Sequence, residues 1–468
     1  TQTVGSYNSK NVASANTVTA HLAAGQFTAG TADLGNYNLP TTVSNTTSTI
    51  TQAALTLTAN SDTSKVYNGS EQSVSGFAIT SGSLQGTDSL AVDLASITAG
   101  AQATHAGTHT STVNDSAYTN GNYAITKVNG TLFIDQKEVS LAAAKTYDGS
   151  KTLTGTQLSI TTGVGSETLG YTLATIHSKN VGDNSSNFVD AVSLSNGSNG
   201  GLASNYKLPA LSASVNNSVV LTAKALTGAI ADVTTTYGTA TATGAVSLSG
   251  KVGTDDVLAA STATLVSADT STSGQIRAGS YVQTVSAGLT GADASNYSFA
   301  GSTTPTANYV VNKLALTGAI AQGLSTYSNT LVAGAVSLTN TVSGDDVLAS
   351  GVNIDTTGKT STSGHLKAGV HTGIQTLTGL TGADKDNYTF ADIKGDYKVN
   401  QLALTGTIAK GETVYGASLL TGAVNLTNKV GTDMVDANGV SIDTTGKTST
   451  SGKLKAGEHT GIQTLTGL

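Results

Sequence analysis

Paired acidic residues in glycine-containing turns are the side chains best suited to bind a metal ion. Two such pairs are present: Asp255-Asp256 and Asp345-Asp346. Single acidic residues occupy the corresponding turns elsewhere, at Asp88, Glu167 and Asp433. Ca²⁺ takes about six to eight oxygen ligands, and two neighbouring carboxylates supply too few. We therefore expect solvated turns with no metal and no cofactor, and keep calcium as the alternative.

Catalytic arrangements are not evident in the sequence. Ser is frequent and there are seven His, yet no Gly-x-Ser-x-Gly motif stands between a strand and a helix. His105 and His109 are four residues apart, a spacing that pairs two imidazoles on a helix but not on a strand. The chain contains no Cys, which excludes disulfides, thiolate metal sites and thiol nucleophiles. We expect no enzyme and assign no catalytic residue.

The composition excludes further classes of protein. Of 468 residues, 22 are Lys or Arg and 29 are Asp or Glu, so the formal net charge is −7. Such a chain lacks the positive field that holds a nucleic acid. No apolar run approaches the roughly 18 residues of a membrane-spanning helix, and no signal peptide is visible. Frequent Thr, Val and Gly, with Tyr as the main aromatic residue, predict strands and turns.

Three short motifs recur along the whole chain, about every 80 to 90 residues. The first is a tyrosine followed by a turn: Tyr67-Asn68-Gly69, Tyr147-Asp148-Gly149, Tyr237-Gly238, Tyr327-Ser328-Asn329 and Tyr415-Gly416. The second is Asn-Tyr: Asn36-Tyr37, Asn122-Tyr123, Asn205-Tyr206, Asn296-Tyr297 and Asn387-Tyr388. The third lies between them, as in Lys179-Asn180-Val181 and Arg277-Ala278-Gly279.

These motifs divide the chain into six repeats: 1–53, 54–136, 137–224, 225–313, 314–401 and 402–468. The first and last repeats are incomplete, so we expect a segment of a longer array. Apolar residues alternate within a repeat, as in Val246-Ser247-Leu248. This pattern predicts an all-β tandem array of small Ig-like or β-sandwich modules, with a β-grasp as the alternative, each owning a core. No flexible linker separates the repeats, which favours an elongated, rigid rod.

The landmark residues have structural interpretations. Each tyrosine of the first motif is expected to pack on its module's core, with its hydroxyl on a backbone partner. Asn68-Gly69 and Asp148-Gly149 predict tight turns that need a positive φ. In Asn-Tyr, the asparagine closes a turn and the tyrosine anchors the next strand. Stacking of these tyrosines on sugars is the functional alternative.

The motifs resemble two families of bacterial repeats. Segments 145–150, 179–182 and 205–209 resemble the YDG repeat, and so does the end of the first repeat. Segments 291–297 and 382–388, with the sequence Gly-Ala-Asp-x-x-Asn-Tyr, resemble MBG repeats. Tyr327-Ser328 departs from the pattern because the expected glycine is missing. The repeat at 54–136 is similar to both families.

The resemblance implies a large secreted adhesin of the filamentous-haemagglutinin type, found at the bacterial cell surface and exported by a two-partner secretion transporter. Its repeats would serve cell attachment, aggregation or biofilm matrix, with other copies of the chain or surface polysaccharide as partners. The resemblance supplies no catalytic residues. Two other functions remain open: a structural subunit of an extracellular filament, and a glycan-binding module.

Overall fold

The computed structural model describes residues 4–468, which fold almost entirely into short strands and turns. The only α-helix among these residues is Leu90–Asp93. Short 3-10 helices lie at Ala24–Gln26, Leu34–Asn36, Gly155–Gln157, Val181–Ser186, Ala203–Asn205, Ala294–Asn296 and Lys385–Asn387. The predicted all-β, sandwich-type array is confirmed, whereas a helix of four residues is too short to cover a sheet as in a β-grasp. None of the helices described has the length and apolar character to cross a membrane.

The chain forms two compact units, and the first contains the residues up to Ala225 together with Lys251–Val257 and Gly291–Ser298. Its strands are Ser6–Tyr7, Val18–His21, Thr42–Asn45, Ala53–Ala59, Asp62–Val66, Gln72–Ser75, Phe77–Ser81, Thr98–Ala103, Gly107–Asn114, Tyr123–Val128, Gly130–Asp135, Lys137–Glu138, Ser140–Thr146, Leu158–Thr161, Leu169–Ile176, Val189–Asn196, Tyr206–Lys207, Asn217–Thr222, Lys224–Ala225 and Tyr297–Ser298.

The repeat at 54–136 in the first unit is built from two sheets. Strand Ala53–Ala59 lies between Tyr123–Val128, which is parallel to it, and the antiparallel Phe77–Ser81. The chain then enters a five-stranded sheet, where Asp62–Val66 runs parallel to Gly130–Asp135. The first and last strands of the repeat are thus parallel neighbours in both sheets. Because parallel neighbours share a direction, the chain enters this repeat at one end and leaves it at the other.

Alternation along the strands explains the core of this repeat. Leu55 and Leu57 on the three-stranded sheet are at most 1% exposed, and their neighbours Thr56 and Thr58 are not buried. Val113 from the five-stranded sheet packs in the same cluster. Each buried aliphatic side chain contributes about 1.5–3 kcal/mol relative to an exposed one, so the cluster is enough to hold the two sheets together.

The second unit contains Leu226–Gly250, Leu258–Thr290 and Phe299–Leu468. Its strands are Thr227–Ile230, Val233–Thr236, Val246–Ser249, Leu258–Ala259, Thr264–Leu265, Gly279–Tyr281, Gln283–Val285, Leu289–Thr290, Ser302–Thr303, Tyr309–Asn312, Leu314–Leu316, Gly318–Ile320, Gly323–Thr326, Val336–Leu338, Leu348–Ala349, Val352–Ile354, Gly369–Leu377, Leu380–Thr381, Tyr388–Phe390, Lys394–Asn400, Gly406–Ile408, Val424–Leu426, Gly439–Ile442 and Gln463–Gly467.

The repeat at 314–401 in the second unit shows the same parallel pairing. Leu314–Leu316 runs parallel to Tyr388–Phe390, and Gly323–Thr326 runs parallel to Lys394–Asn400. Gly369–Leu377 pairs antiparallel with Lys394–Asn400, and Val352–Ile354 is the fourth strand of this sheet. The two repeats therefore place their first and last strands side by side despite different sequences.

The hydrophobic cores continue across the predicted repeat boundaries. One cluster in the first unit joins Tyr67 and Ile134 of one repeat to Leu141 and Ile176 of the next. A cluster in the second unit joins Tyr237 to Leu316 and Tyr388 in the same manner. Three repeats also have a cluster of their own, which contains Leu57, Val285 and Ile374 respectively. The expectation that each repeat owns a core is therefore confirmed for these three repeats, and further clusters are shared across the boundaries. A module of about 90 residues has little interior, and burying aromatic residues against its neighbour enlarges that interior.

A glutamine makes the same pair of hydrogen bonds in each repeat of the second unit, and it is fully buried at Gln283 and Gln375 and partly buried at Gln463. Gln375 is fully buried, its Oε1 accepts the Gly334 N–H at 2.7 Å, and its Nε2 donates to the Ala321 carbonyl at 3.1 Å. Gln283 and Gln463 make the equivalent pairs of hydrogen bonds: Gly244 with Ala231, and Gly422 with Ala409. Sequence analysis missed these glutamines, although Gln-Thr followed by Val or Leu recurs at all three positions.

Ser328 takes the backbone conformation that glycine has in two other repeats. Its φ is 75°, compared with 79° at Gly238 and 88° at Gly416, so the turn is kept without the glycine. An L-residue in this region costs about 1–2 kcal/mol, and the entropy cost of glycine offsets part of the gain. We predict that Ser328→Gly raises the free energy of unfolding by about 0.5–1 kcal/mol. Denaturant titration checks this, and Ser328→Ala, which keeps the Cβ, should give no gain.

Candidate functional site

The most distinctive arrangement in the structure is a carboxylate that binds two tyrosines, repeated at three boundaries between repeats. We call it the tyrosine–carboxylate bridge. One tyrosine comes from the tyrosine-turn motif of a repeat, and the carboxylate and second tyrosine come from the next repeat. The three bridges are Tyr67–Glu167–Tyr206 and Tyr147–Asp255–Tyr297 in the first unit, and Tyr237–Asp345–Tyr388 in the second.

The geometry of the bridges is nearly constant. Both hydroxyls donate to the carboxylate at 2.7 Å in the Glu167 bridge, at 2.8 and 2.6 Å in the Asp255 bridge, and at 2.5 Å in the Asp345 bridge. The two rings of each bridge meet edge to face, with centroids 5.3–5.4 Å apart. Charge-assisted hydrogen bonds are about twice as strong as neutral ones, so the same contact is built three times from strong interactions.

The third motif meets Asn-Tyr at the three boundaries that carry a bridge and also at the boundary between 1–53 and 54–136. The asparagine side-chain Oδ1 of one repeat accepts a backbone N–H from the preceding repeat, at 2.9–3.1 Å. The pairs are Val12 with Asn122, Ala106 with Asn205, Val181 with Asn296, and Ala278 with Asn387. All three recurring motifs of the sequence therefore converge where one repeat meets the next.

Two interpretations of the sequence need correction. The hydroxyls of Tyr67, Tyr147 and Tyr237 bind side-chain carboxylates of the following repeat and not a backbone group of their own. The carboxylates of Asp255 and Asp345 therefore serve as acceptors at a boundary between repeats and not as solvated turns. A buried phenol needs an acceptor, and a carboxylate is the strongest one available in these turns.

The turns that follow the tyrosines form as predicted. Gly69 and Gly149 have φ of 81° and 78°. The Asn68 and Asp148 side chains each accept the backbone N–H two residues ahead at 2.9 Å. The turn glycines also lie close to the next repeat, since a Cβ on Gly149 would lie 2.8 Å from Val252.

The remaining landmark residues lie in less complete versions of the boundary. Tyr123 donates to Asp88 at 2.8 Å, and Tyr327 donates to Asp433. Tyr415 is 55% exposed and contacts the Ser449 and Ser451 hydroxyls, and Tyr37, next to Asn36, is 63% exposed. Among residues 4–468, the bridge is therefore complete at the three boundaries where all three motifs are together.

Sequence analysis assigned no role to the aspartate of Gly-Ala-Asp-x-x-Asn-Tyr. The Asp384 side chain is fully buried, accepts a hydrogen bond from the Thr272 hydroxyl and forms an ion pair with Arg277 at 3.0 Å. Burial raises its pKa, but the bonds from Thr272, the Asp346 backbone and Arg277 outweigh burial and hold the pKa below its usual value. The recurring Asp in this motif was the available signal.

The bridges perturb the pKa of their members in opposite directions. The Tyr297 hydrogen bond, with a smaller contribution from Tyr147, holds the pKa of Asp255 below its usual value despite burial. Burial and the hydrogen bond to Asp255 raise the pKa of Tyr297 to about 12, and the same two causes raise the pKa of Tyr147. Both shifts in pKa favour a charged carboxylate with two neutral phenols over the whole pH range between the pKa of the aspartate and those of the tyrosines.

Stability should therefore fall at both ends of the pH scale. The pKa of Asp255 is lower in the folded chain than the value of 3.8 for an unfolded aspartate. As the pH falls below 3.8, the unfolded chain therefore binds a proton more readily than the folded chain, and stability declines. Above pH 10, the unfolded chain releases tyrosine protons that folded Tyr297 keeps, so stability declines as pH rises towards 12. Thermal melts across pH 2–12 check both arms. Tyrosinate absorbance that rises smoothly without unfolding would contradict the alkaline arm.

The calcium alternative remains a prediction to test. Asp256 and Asp346 use one carboxylate oxygen each to accept the backbone N–H of Ala292 and Ala383, at 3.1 and 2.9 Å. Residues 4–468 contain no group of three or more acidic or His side chains arranged around a possible metal. We predict that neither millimolar CaCl2 nor EGTA shifts the melting temperature, because no third acidic or His side chain joins either pair among the described residues. A calcium-dependent rise would establish the alternative.

Comparisons with known proteins agree with part of this description. The chain resembles the N-cadherin EC1-4 fragment of Drosophila, with 9% identity, 63% of this chain and 83% of that chain covered, and a TM-score of 0.19. It also resembles the N-terminal eight Ig domains of Down syndrome cell adhesion molecule, with 10% identity, 82% of this chain and 54% of that chain covered, and a TM-score of 0.15. Likenesses this weak carry no argument about function. No curated protein matches the chain significantly. Residues 134–214 match the YDG domain family, so the chain contains a YDG domain.

Proposed function

We propose that this chain is part of the repeat stalk of a secreted bacterial surface adhesin, and acts as a rigid spacer in attachment, aggregation or biofilm matrix. The observation that carries the proposal is the tyrosine–carboxylate bridge, which joins consecutive repeats three times with the same geometry. A shared core and charge-assisted hydrogen bonds at a boundary resist bending, whereas an ordinary flexible linker permits it.

Two further features support a spacer. The chain enters and leaves a repeat at opposite ends, because first and last strands run parallel. The YDG domain at 134–214 agrees with the repeat type that such adhesins contain. The proposal places no catalysis and no cofactor in this chain, and its partners would be other copies of the chain or surface polysaccharide.

Small-angle X-ray scattering of the 468-residue chain tests the spacer role. Strands rise about 3.3 Å per residue, so five or six modules in series should give a maximum dimension well above 100 Å. A compact particle of about 50 Å would overturn the proposal. The double variant Asp255→Ala with Asp345→Ala should broaden the distance distribution, because two boundaries lose their bridges.

The cellular location is tested separately. Antibodies raised against the purified chain should label intact bacteria that express the parent protein. External protease should remove this signal while cytoplasmic markers stay intact. Labelling only after permeabilisation would contradict a surface adhesin.

A further inference from the structure

The repeat at 314–401 in the second unit contains a polar cavity of about 320 Å³, at the lower end of the range for ligand-binding pockets. Part of its lining comes from the segment 325–331, which carries the tyrosine-turn motif, and the rest from Thr356, the segment 364–366 and Val399. Among the described residues that line the cavity, none is Asp, Glu, Lys or Arg. The cavity therefore offers hydrogen-bonding groups without a carboxylate, ammonium or guanidinium group, which favours a small neutral ligand.

Ser325 contributes a hydroxyl that has lost its partner. Its Oγ is buried and has no hydrogen-bond partner among residues 4–468. In the preceding repeat the equivalent Thr235 shares a hydrogen bond with the Thr241 hydroxyl at 2.6 Å, whereas Leu331 stands at the position of Thr241 here. A buried polar group without a partner is destabilising. Because a serine has three staggered rotamers, rotation about χ1 turns this hydroxyl towards a ligand.

Ser328 contributes a second hydroxyl at the cost of a strained backbone. Its φ of 75° is one that glycine adopts at Gly238 and Gly416 in the neighbouring repeats. The same hydrogen bond, at 2.9–3.0 Å, closes the turn in all three repeats, so the turn does not require a serine. Strained residues cluster at functional sites. The strain at Ser328 therefore indicates a role for its side chain, which lines the cavity.

The next two residues are polar in this repeat alone among the three repeats of the second unit. Asn329 and Thr330 line the cavity, and each of the other repeats has an alanine at one of these positions, Ala240 or Ala417. Neither Asn329 nor Thr330 forms a side-chain hydrogen bond to another described residue. Their donors and acceptors are therefore available to a ligand.

Apolar and ring surface completes the lining. Leu331 and Leu366 supply aliphatic groups, and His365 supplies an imidazole ring. The His365 ring is held edge to face against Tyr327, with centroids 6.0 Å apart. A sugar ring carries hydroxyls around its edge and C–H groups on its faces, so this mixture of groups matches both of its surfaces.

The Asn-Tyr segment of a following repeat binds elsewhere. At the boundary between 225–313 and 314–401, hydrogen bonds from that segment reach Thr272, Arg277 and Ala278. The counterparts of these residues are at positions 362, 367 and 368, and none of them is among the described residues that line the cavity. The cavity therefore belongs to the repeat at 314–401 itself.

We propose that this cavity binds one neutral hexose unit of a polysaccharide. The hydroxyls of Ser325 and Ser328 and the amide of Asn329 bond the hydroxyls of the sugar, and Leu331 and His365 pack against its C–H face. The biological meaning of this site rests on the proposed adhesin role, because it gives the polysaccharide partner of that proposal a place to bind.

Saturation-transfer difference NMR of the 468-residue chain tests the site. The probes are methyl α-D-glucopyranoside, methyl α-D-mannopyranoside and methyl β-D-galactopyranoside, and at least one should bind saturably. Ser328→Gly and Ser325→Ala should each weaken this binding about 5-fold, since each removes one hydrogen bond to the sugar. Neither variant should melt below the original chain, because one relieves backbone strain and the other removes an unpartnered hydroxyl. Ser337→Ala is the control, on an exposed serine of the same repeat outside the cavity, and should bind like the original chain.

Two results would overturn the site: no saturable binding of any of the three glycosides, or binding to Ser328→Gly and Ser325→Ala that equals binding to the original chain. The spacer role fails separately. An elongated particle in small-angle scattering that binds no sugar overturns this inference alone, and a compact particle that binds the sugar supports the site and overturns the spacer.

Discussion

Replacing Asp255 with alanine should lower the free energy of unfolding of the first unit by about 2–5 kcal/mol. Tyr147 is 2% exposed and Tyr297 is 6% exposed, and the Asp255 carboxylate accepts both hydroxyls. A buried donor that loses its acceptor costs about 1–3 kcal/mol, more when the acceptor was charged. Asp255→Asn should cost less, because the amide oxygen still accepts one hydroxyl without the charge.

Differential scanning calorimetry measures this loss, with Glu71→Gln as the matched control on an exposed acidic residue. A double-mutant cycle with Tyr147→Phe isolates the hydrogen bond from the general loss of a carboxylate. If the free energy of unfolding of Asp255→Ala lies within about 0.5 kcal/mol of that of the original chain, the bridge contributes little to stability. The proposal that the bridge makes the boundary rigid would then be wrong.

Substituting Gly334 with alanine should destabilise the second unit by about 2–4 kcal/mol. A Cβ at Gly334 would lie 1.8 Å from the Ala321 carbonyl oxygen and 2.7 Å from its carbon, both backbone atoms that cannot rotate away. Gly334 also donates its N–H to the buried Gln375, so shifting the backbone to relieve the clash breaks that hydrogen bond.

Urea titration followed by circular dichroism gives the size of the effect. Gly182→Ala is the control, because no atom lies within 4 Å of a Cβ placed there. The equivalent Gly244 and Gly422, where a Cβ would lie 1.9 and 1.7 Å from a carbonyl oxygen, should behave like Gly334. An alanine variant at Gly334 as stable as the control would show that the backbone yields at this position.

The sequence alone determined the fold class and most of the residues that matter at the boundaries, although not Asp384. Alternating apolar residues and frequent turn signals suffice to predict strands, because burial on one face of a pleated strand has a period of two. The tyrosine-turn motif recurs at Tyr67, Tyr147 and Tyr237, which indicates that the same structural role is repeated at these positions. The acidic turns and Asn-Tyr were identified in the same manner.

Only the tertiary structure showed that these motifs meet each other. Tyr147 and Asp255 are 108 residues apart, and nothing in their local sequence indicates which carboxylate a tyrosine hydroxyl finds. The alternation of side chains along a strand predicts which face a side chain lies on, but not which group it contacts. For this reason the Tyr147 hydroxyl, which we expected to bind a backbone group, instead donates to a carboxylate of the next repeat. Contacts distant in sequence depend on how strands pair, and parallel pairing of first and last strands is a property of the folded chain.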